Sequence, residues 1–569
     1  MAIVPLGTYS DLLFGSDDHD EHSWVLTPNV DPSPALYFWG ELIGWTAPPA
    51  TLTPPLGTIG FASVYTAPGG AIYVATDGDD GSGDGTSGNE FATLTHALSV
   101  ASNGDTIVMR GGTYRVGAIN VAKEVTIQGY QGDEVWFDGA DIISSGSWVV
   151  DGAQWRLDSS PSGDLTLAAA AVEDSSQIDV SHPLAGSPQQ VFRNGAKLTQ
   201  VASKAAATSG KFFYDEGTNK LYIGDNPVGA TTEVTTRAKA LDVSTSNVTL
   251  RSLGFRNYGS TLNPGAVGVG GSYTMAAVQV SGGSNILISK CWFYRAAARG
   301  LFIGSCTGVT VNDCKLVYNG MNGVDVFSSD DTVIQNCRIY GNNAEGYALT
   351  AGAHATIAGS KVVTSDGVIF RDNIIDSNNA TGIWFDLECT NAVVTGNVLA
   401  SNNLHGIMYE VSGGAIIASN LIYRNTQNGI YLLGPNNKVW NNTCVYNGQH
   451  VAVYEDSRNT DPSNLDDVSG NVIKNNVFGQ LNPTSGTNNI GNPSKYLDVN
   501  GFSYTESVAP GSMVTDLDYN VYRRGDASTT TPPRRGCAGA ARWADPGHAC
   551  VSPAKRPQVG HFCVPTWPP

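Results

Sequence analysis

The chain has 569 residues, a formal net charge of −19 and only 15% charged residues. Nucleic-acid binding would need basic patches, and no apolar run is long enough to span a bilayer, so neither partner is expected. Abundant glycine (66 residues) and crowded β-branched runs point away from a helical protein and towards an all-β secreted or virion protein.

Residues 1–70 are Pro-rich, with aromatic clusters such as LYFWGELIGW at 37–46. They read as an attachment segment or a leader. The first basic residue is Arg110, and MAIVPLGTYSDLLFGSDDHDEH lacks the basic and apolar regions of a secretory signal. The expectation is therefore an extracellular or virion-associated protein that is exported by another route, is a mature chain, or is part of a phage particle. The run Asp17, Asp18, His19, Asp20, Glu21 and His22 has metal-ligating residue types but reads as a solvated loop.

Residues 71–139 read as strand, Gly/Asp loop, helix, strand and a first coil. Phe91, Leu94, Leu98 and Ala101 sit at helical spacing, and Asn103-Gly104 ends the helix. Such a helix would cover the open apolar end of a solenoid. Asp77, Asp79, Asp80 and Asp84 gather oxygen donors, so a calcium ion could bind there, although an EF-hand's spacing and closing Glu are missing. No cofactor is otherwise required. Residues 140–243 break the pattern. Asn194-Gly195 and FFYDEGTNKLYIG (212–224) mark hairpins of an inserted β-module.

From 244 to 523 a repeat dominates. Anchored on Gly300, Gly323, Gly346, Gly382, Gly406, Gly429 and Val451, its steps are 23, 23, 36, 24, 23 and 22 residues. The long step places an insertion at 354–367. Four residues before the anchors stand Asn319, Asn342, Asn378, Asn402, Asn425 and Asn447. Nine before stand Cys291, Cys314, Cys337, Asn373, Asn397 and Asn420. A repeat of this length signals a solenoid. Stacked Asn side chains can bond from one level to the next. The three cysteines read as buried thiols between coils, since metal sites favour tight CxxC-type spacing. Each copy has three strand-like runs and no helix, which predicts an all-β, right-handed parallel β-helix with three strands per coil. Residues 524–569 are Pro-, Arg- and Cys-rich and read as a disordered tail.

With its TYR…VTIQGY entry and closing DLDYNVYRR, the stretch 72–523 resembles the right-handed parallel β-helix superfamily of carbohydrate-active proteins. Side chains in strands alternate between faces. Ile383/Phe385, Ile407/Tyr409 and Ile430/Leu432 should point inward. Trp384/Asp386, Met408/Glu410 and Tyr431/Leu433 should point outward, and other coils add Phe302, Asp325, Phe327, Thr350 and Glu455. Coils lie ~4.8 Å apart. Asp386 and Glu410 share a register on adjacent coils, so their carboxyls should lie roughly 5 Å apart, the separation used by retaining glycosidases. Like charges this close do not both ionise easily, which suits one carboxyl to acid/base work and the other to attack. Outward Trp384 and Tyr431 could stack on sugar rings, with Glu388 and His405 at the strand edges as supports.

GIWFD, followed one coil later by a Glu, also resembles the β-helix β-xylosidase-type retaining glycoside hydrolases. That resemblance implies Asp386 as nucleophile and Glu410 as acid/base, acting on a polysaccharide or oligosaccharide. Two other readings stay open. A polysaccharide lyase or uronate epimerase needs a basic residue near a metal or Arg; Lys361 and Arg371 fall in the long step and the strand after it, off this face. A phage tail-spike or adhesin would bind or depolymerise surface glycans, as a homotrimer if it is a fibre.

Overall fold

The computed structural model describes residues 65–159, 178–260, 276–347, 356–454 and 468–479, with short strands at 497–500, 513–518, 520–522, 548–551 and 564–565. These residues fall into two compact units. One lies within 53–366 and 377–384, the other within 367–376 and 385–569. The segments 1–64 and 524–547, and Glu455 and Thr350, lie outside the described residues.

In the unit of 53–366 and 377–384, three sheets of parallel strands recur coil after coil. The first sheet includes Ser284–Ser289, Thr307–Asn312 and Val333–Gln335. The second includes Arg299–Gly304, Val324–Phe327 and Ala358–Val363. The third includes Trp292–Tyr294, Lys315–Val317 and Arg338–Tyr340. Strands repeat in register, as Leu301 with Val324 and Val324 with Ser360 show. Inward rings stack along the coils: Phe137 on Phe255 at 5.2 Å and Phe255 on Phe293 at 5.4 Å between centroids. The helix Leu94–Val100 is capped by the Thr93 side chain, which accepts from the His96 amide. Its buried Leu94, Ala97 and Leu98 continue this core, with Phe91 and Ala101 beside them. Residues 140–235 add two further, mainly antiparallel sheets built around hairpins such as Lys211–Asp215 with Lys220–Ile223.

The unit of 367–376 and 385–569 repeats the same three-sheet coil. Here Ile369–Arg371 and Val393–Thr395 belong to the first sheet, Ile407–Glu410 and Asn428–Leu433 to the second, and Val398–Ala400 and Leu421–Tyr423 to the third. Phe385, Ile407, Tyr409, Ile430 and Leu432 are all fully buried, and so is Ile383 within the other unit, as period-two alternation requires.

Side-chain ladders close the corners. Asn319 Nδ2 donates to Asn342 Oδ1 at 3.0 Å, and Asn342 to Asn378 at 2.9 Å. In the other unit, Asn402 donates to Asn425 at 3.0 Å and Asn425 to Asn447 at 2.9 Å. A second ladder runs Asn373, Asn397, Asn420, Asn442, Asn476 and Asn520. In the equivalent place of the first unit, the Cys291 amide donates to Cys314 Sγ, and the Cys314 amide to Cys337 Sγ, each at 3.4 Å. None of the three is in a disulfide, and all are buried. A third ladder of small residues was not read from the sequence: the amides of Cys306, Ser329 and Cys389 donate to the hydroxyls of Ser329, Ser365 and Ser412.

The anchor glycines have a steric reason. A Cβ at Gly323 would lie 2.9 Å from Asn342 Nδ2 and 2.9 Å from the Gly359 carbonyl oxygen. Glycine thus leaves room for the Asn rung, which explains the Asn-to-Gly spacing. The same geometry corrects one anchor. Val324 pairs with Ser360 and Asp325 with Lys361, so Gly359, not Gly346, follows Gly323. The strand Ala358–Val363 is a regular coil strand, and the extra residues of the long step precede it.

The Gly/Asp loop ahead of the helix is held by its own carboxylates. Asp79 accepts from the Gly81 amide at 2.7 Å and the Ser82 hydroxyl at 2.8 Å. Asp80 accepts from the Ala92 amide at 2.8 Å and the Thr93 hydroxyl at 2.6 Å, and Asp84 from the Thr86 hydroxyl at 2.6 Å. Among the described residues no group of three or more His, Cys, Asp or Glu side chains is arranged to hold a metal. Asp79, Asp80 and Asp84 thus cap the loop's own amides and hydroxyls, and Asp77 is exposed beside them.

Candidate active site

The strand Thr381–Asp386 ends in the first candidate carboxylate, and Ile407–Glu410 ends in the second. Their alignment follows from the residues just before them: the Phe385 and Tyr409 rings pack with centroids 5.1 Å apart. Phe385 also meets Phe370, and the Tyr409 hydroxyl donates to the Cys389 and Gly413 carbonyls, both at 3.2 Å. These inward rings fix the two strand ends against one core. Asp386 and Glu410 each come one residue later and therefore share the opposite, outward face.

Their surroundings differ. Asp386 is fully buried, and its Oδ1 accepts from the Leu387 amide at 2.8 Å. Glu410 is half-buried. The chain leaves Asp386 through two successive left-handed residues, Leu387 (φ 52°) and Glu388 (φ 66°). At the matching exits Ser305, Ser328, Thr364 and Val411 each stand alone in that conformation. The additional residue accounts for the 24-residue step. It also leaves Leu387 and Glu388 exposed beside the buried carboxylate. Left-handed backbone costs about 1–2 kcal/mol per non-glycine residue, so a doubled corner is a local strain of the kind that gathers at functional sites.

Beside the pair, Met408 pairs in register with Tyr431, and Glu410 with Leu433. Met408 and Tyr431 are half-buried, and Tyr431 meets Tyr454 edge-on at 5.6 Å. His405 is buried; its Nδ1 accepts from the Asn428 amide at 3.3 Å, and its ring packs on Tyr431 at 4.9 Å. It holds Tyr431 rather than reaching the outward carboxylates by any bond seen here. Burial pushes its pKa down to about 3, and that of the buried His450 to about 4. Both are depressed below the unfolded value near 6.5. Their neutral forms therefore contribute stability that is complete above pH 6.5 and is lost as pH falls from there towards 3–4. We expect the melting temperature to drop between pH 7.5 and 5, and less so in His405→Gln. An equally steep drop in that variant would remove His405 from the explanation.

In the unit of 53–366 and 377–384, the outward side of the second sheet is unexpectedly basic. The Arg299 guanidinium forms an ion pair with Asp325, whose Oδ1 also accepts from Asn322 Nδ2 at 2.7 Å. Lys361 pairs in register with Asp325, and its Nζ lies 3.5 Å from the centre of the Trp384 ring. Arg299, Asp325, Lys361 and Trp384 are all buried, and Arg299 Nη1 has no hydrogen-bond partner among the described residues. Burial raises the Asp325 pKa, against the opposing pull of Arg299. Phe327 is half-buried at the end of the same strand. Placing Lys361 off this face is thus corrected, while Arg371 is exposed on the first sheet. Lys361 was misplaced because the anchor at Gly346 assigned its strand to the insertion. Arg299 precedes its anchor glycine, at the first position of its strand, before the period-two reading begins.

The sequence matches the family model described as a right handed beta helix region over residues 274–409 and 358–493. The chain is a right-handed parallel β-helix protein. Among solved structures, the β-helix resembles one described as the complex of XylC with xylose, with a TM-score of 0.54 and 17% identity over 72% of this chain and 75% of that one. At that identity the likeness is one of fold. A structure described as a glycoside hydrolase aligns at TM-score 0.42 and 14% identity, over 72% of this chain and 93% of that one. Pectate lyase Pel9A aligns at 0.38 and 13%, over 74% and 77%. No curated protein matches the chain. No helix among the described residues of the β-helix protein is long and apolar enough to cross a membrane.

Proposed function

We propose that the protein is a retaining glycoside hydrolase acting on a polysaccharide or oligosaccharide, with Asp386 as nucleophile and Glu410 as acid/base. The observation that carries this reading is the Phe385–Tyr409 ring contact at 5.1 Å between neighbouring strands, which supports placing the carboxylates that follow them on one rung. One rung is ~4.8 Å, within reach of the separation of about 5–5.5 Å at which one carboxylate attacks while the other protonates. Asp386 attacks the anomeric carbon as Glu410 gives its proton to the departing glycosidic oxygen. Glu410 then takes a proton from water, which displaces Asp386 and releases the sugar. The half-buried Met408 and Tyr431 offer an apolar ledge for a sugar ring. The fold is shared with a structure described as holding xylose, which is compatible with a sugar ligand.

A second reading has one observation in its favour. Arg299 and Lys361 supply the basic groups that lyase or epimerase chemistry on uronates needs. Product class separates the two. A panel of aryl glycosides is expected to release phenol, and uronate polymers to give no unsaturated product. Inert aryl glycosides together with ultraviolet-absorbing unsaturated uronates would overturn the hydrolase assignment in favour of the lyase.

A further inference from the structure

The third sheet of the unit of 53–366 and 377–384 presents a different surface. In the consecutive strands Gly254–Arg256, Trp292–Tyr294, Lys315–Val317 and Arg338–Tyr340, the middle residues Phe255, Phe293, Leu316 and Ile339 are fully buried in the core. The flanking positions, in register, are Gly254, Trp292, Lys315 and Arg338 in one row, and Arg256, Tyr294, Val317 and Tyr340 in the next. Three are cations, three are aromatic and none is a carboxylate, in a chain whose net charge is −19.

The rings and cations interleave. Gly254 makes room for Trp136 from the preceding coil, since a Cβ there would lie 2.4 Å from the indole. Trp136 meets Trp292 at 5.1 Å, and Trp292 meets Tyr294 at 5.4 Å. Tyr318, at the corner, touches Tyr294 at 6.2 Å and Tyr340 at 5.1 Å. Lys315 lies 5.6 Å from the Trp292 ring centre, and Arg338 4.9 Å from that of Tyr340. Trp292, Tyr294, Lys315, Tyr318 and Tyr340 remain half-buried, with part of each side chain open to solvent.

One feature of this face works against the fold. Lys315 and Arg338 stand directly opposite each other on neighbouring strands, and like charges so placed destabilise a sheet. Burial first, and then the Arg338 charge, push the Lys315 pKa down, against a smaller opposing pull from the Asp313 carboxylate. The nearby Asp138 carboxylate is engaged by Arg256 and Arg115. An anion bound between Lys315 and Arg338 would relieve this repulsion.

We propose that this face binds an acidic polysaccharide, with a uronate-type carboxylate at Lys315 and Arg338 and sugar rings against Trp292 and Tyr340. The rung spacing of ~4.8 Å is close to the length of one pyranose unit in an extended chain, so successive sugars meet successive coils. Aromatic faces backed by cations suit that ligand. A single-stranded nucleic acid fits less well. Its bases need open stacking platforms, whereas these rings tilt 40–86° against one another. This surface is on a different sheet from the Asp386–Glu410 pair and does not depend on the reaction assigned to that pair.

The test uses the full chain and three probes: polygalacturonate, neutral xylan and a single-stranded oligothymidine, compared by affinity electrophoresis and titration calorimetry. Polygalacturonate is expected to bind, more weakly as salt rises. Lys315→Gln and Trp292→Ala should each weaken it by about tenfold at an unchanged melting temperature. If either variant melts early, Tyr340→Ala provides the same comparison. No binding by the parent, parent-like binding by stable variants, equal affinity for xylan, or tighter binding of oligothymidine would each overturn the proposal.

Discussion

Asp386→Ala is expected to abolish turnover of an aryl glycoside, and added azide to restore product as the glycosyl azide of opposite anomeric configuration. The logic is geometric. The small anion enters the space left by the Asp386 carboxylate and attacks from the same side, and no second displacement follows. Glu410→Ala should behave differently. General acid catalysis is worth about 10²–10⁴-fold, so slow glycosides with poor leaving groups should lose that factor. Activated nitrophenyl substrates, whose leaving group needs little protonation, should keep the first step. Azide should then accelerate Glu410→Ala and give product of retained configuration, because it intercepts the covalent intermediate. Chromatography of the azide products reads both outcomes. Identical behaviour of the two variants would sink the division of labour between nucleophile and acid/base. Undiminished activity in either would remove the pair from the chemistry.

The second large effect concerns the scaffold. Asn402 is fully buried, and its Nδ2 donates to the Ile375 carbonyl at 3.1 Å and to Asn425 Oδ1 at 3.0 Å. Leucine fills nearly the same volume but cannot donate. Asn425 Oδ1 would still accept from the Asn402 backbone amide at 3.1 Å, whereas the Ile375 carbonyl would lose its side-chain donor. A buried partner left unsatisfied costs about 1–3 kcal/mol, so Asn402→Leu should destabilise by about 2 kcal/mol, against about 0.5 kcal/mol for an ordinary surface change. Urea unfolding followed by circular dichroism gives the difference. A midpoint matching the parent's would mean that the ladder contributes register but little stability.

Much of the fold was legible because its determinants are periodic. The Asn rungs recur at a fixed offset from glycine, and inward Ile, Phe and Tyr residues recur at period two. Both signals survive without knowledge of the tertiary structure. The ladders of Cys306, Ser329 and Ser365 in one unit and of Cys389 and Ser412 in the other escaped notice because Ser and Cys look like unrelated residue types. They are equivalent here only as small side chains able to accept a backbone amide. The error at Gly346 has a similar cause. That glycine is left-handed (φ 75°) and packs against His182, and nothing in its local sequence distinguishes it from a glycine that faces an Asn rung. One displaced anchor then moved Lys361 off the outward face and hid its stacking on Trp384.

The long step also bears on how such a chain can diversify. Asn342 keeps its bond to Asn378, and Val324 keeps its pairing with Ser360, although thirteen more residues separate Gly323 from Gly359 than separate Gly300 from Gly323. The hydrogen-bond circuit is complete on either side of the added segment, so its length is decoupled from the geometry of the stack. That corner is a natural grafting point: an exchangeable cassette there could alter what the surface recognises while leaving the reading frame of the coils intact.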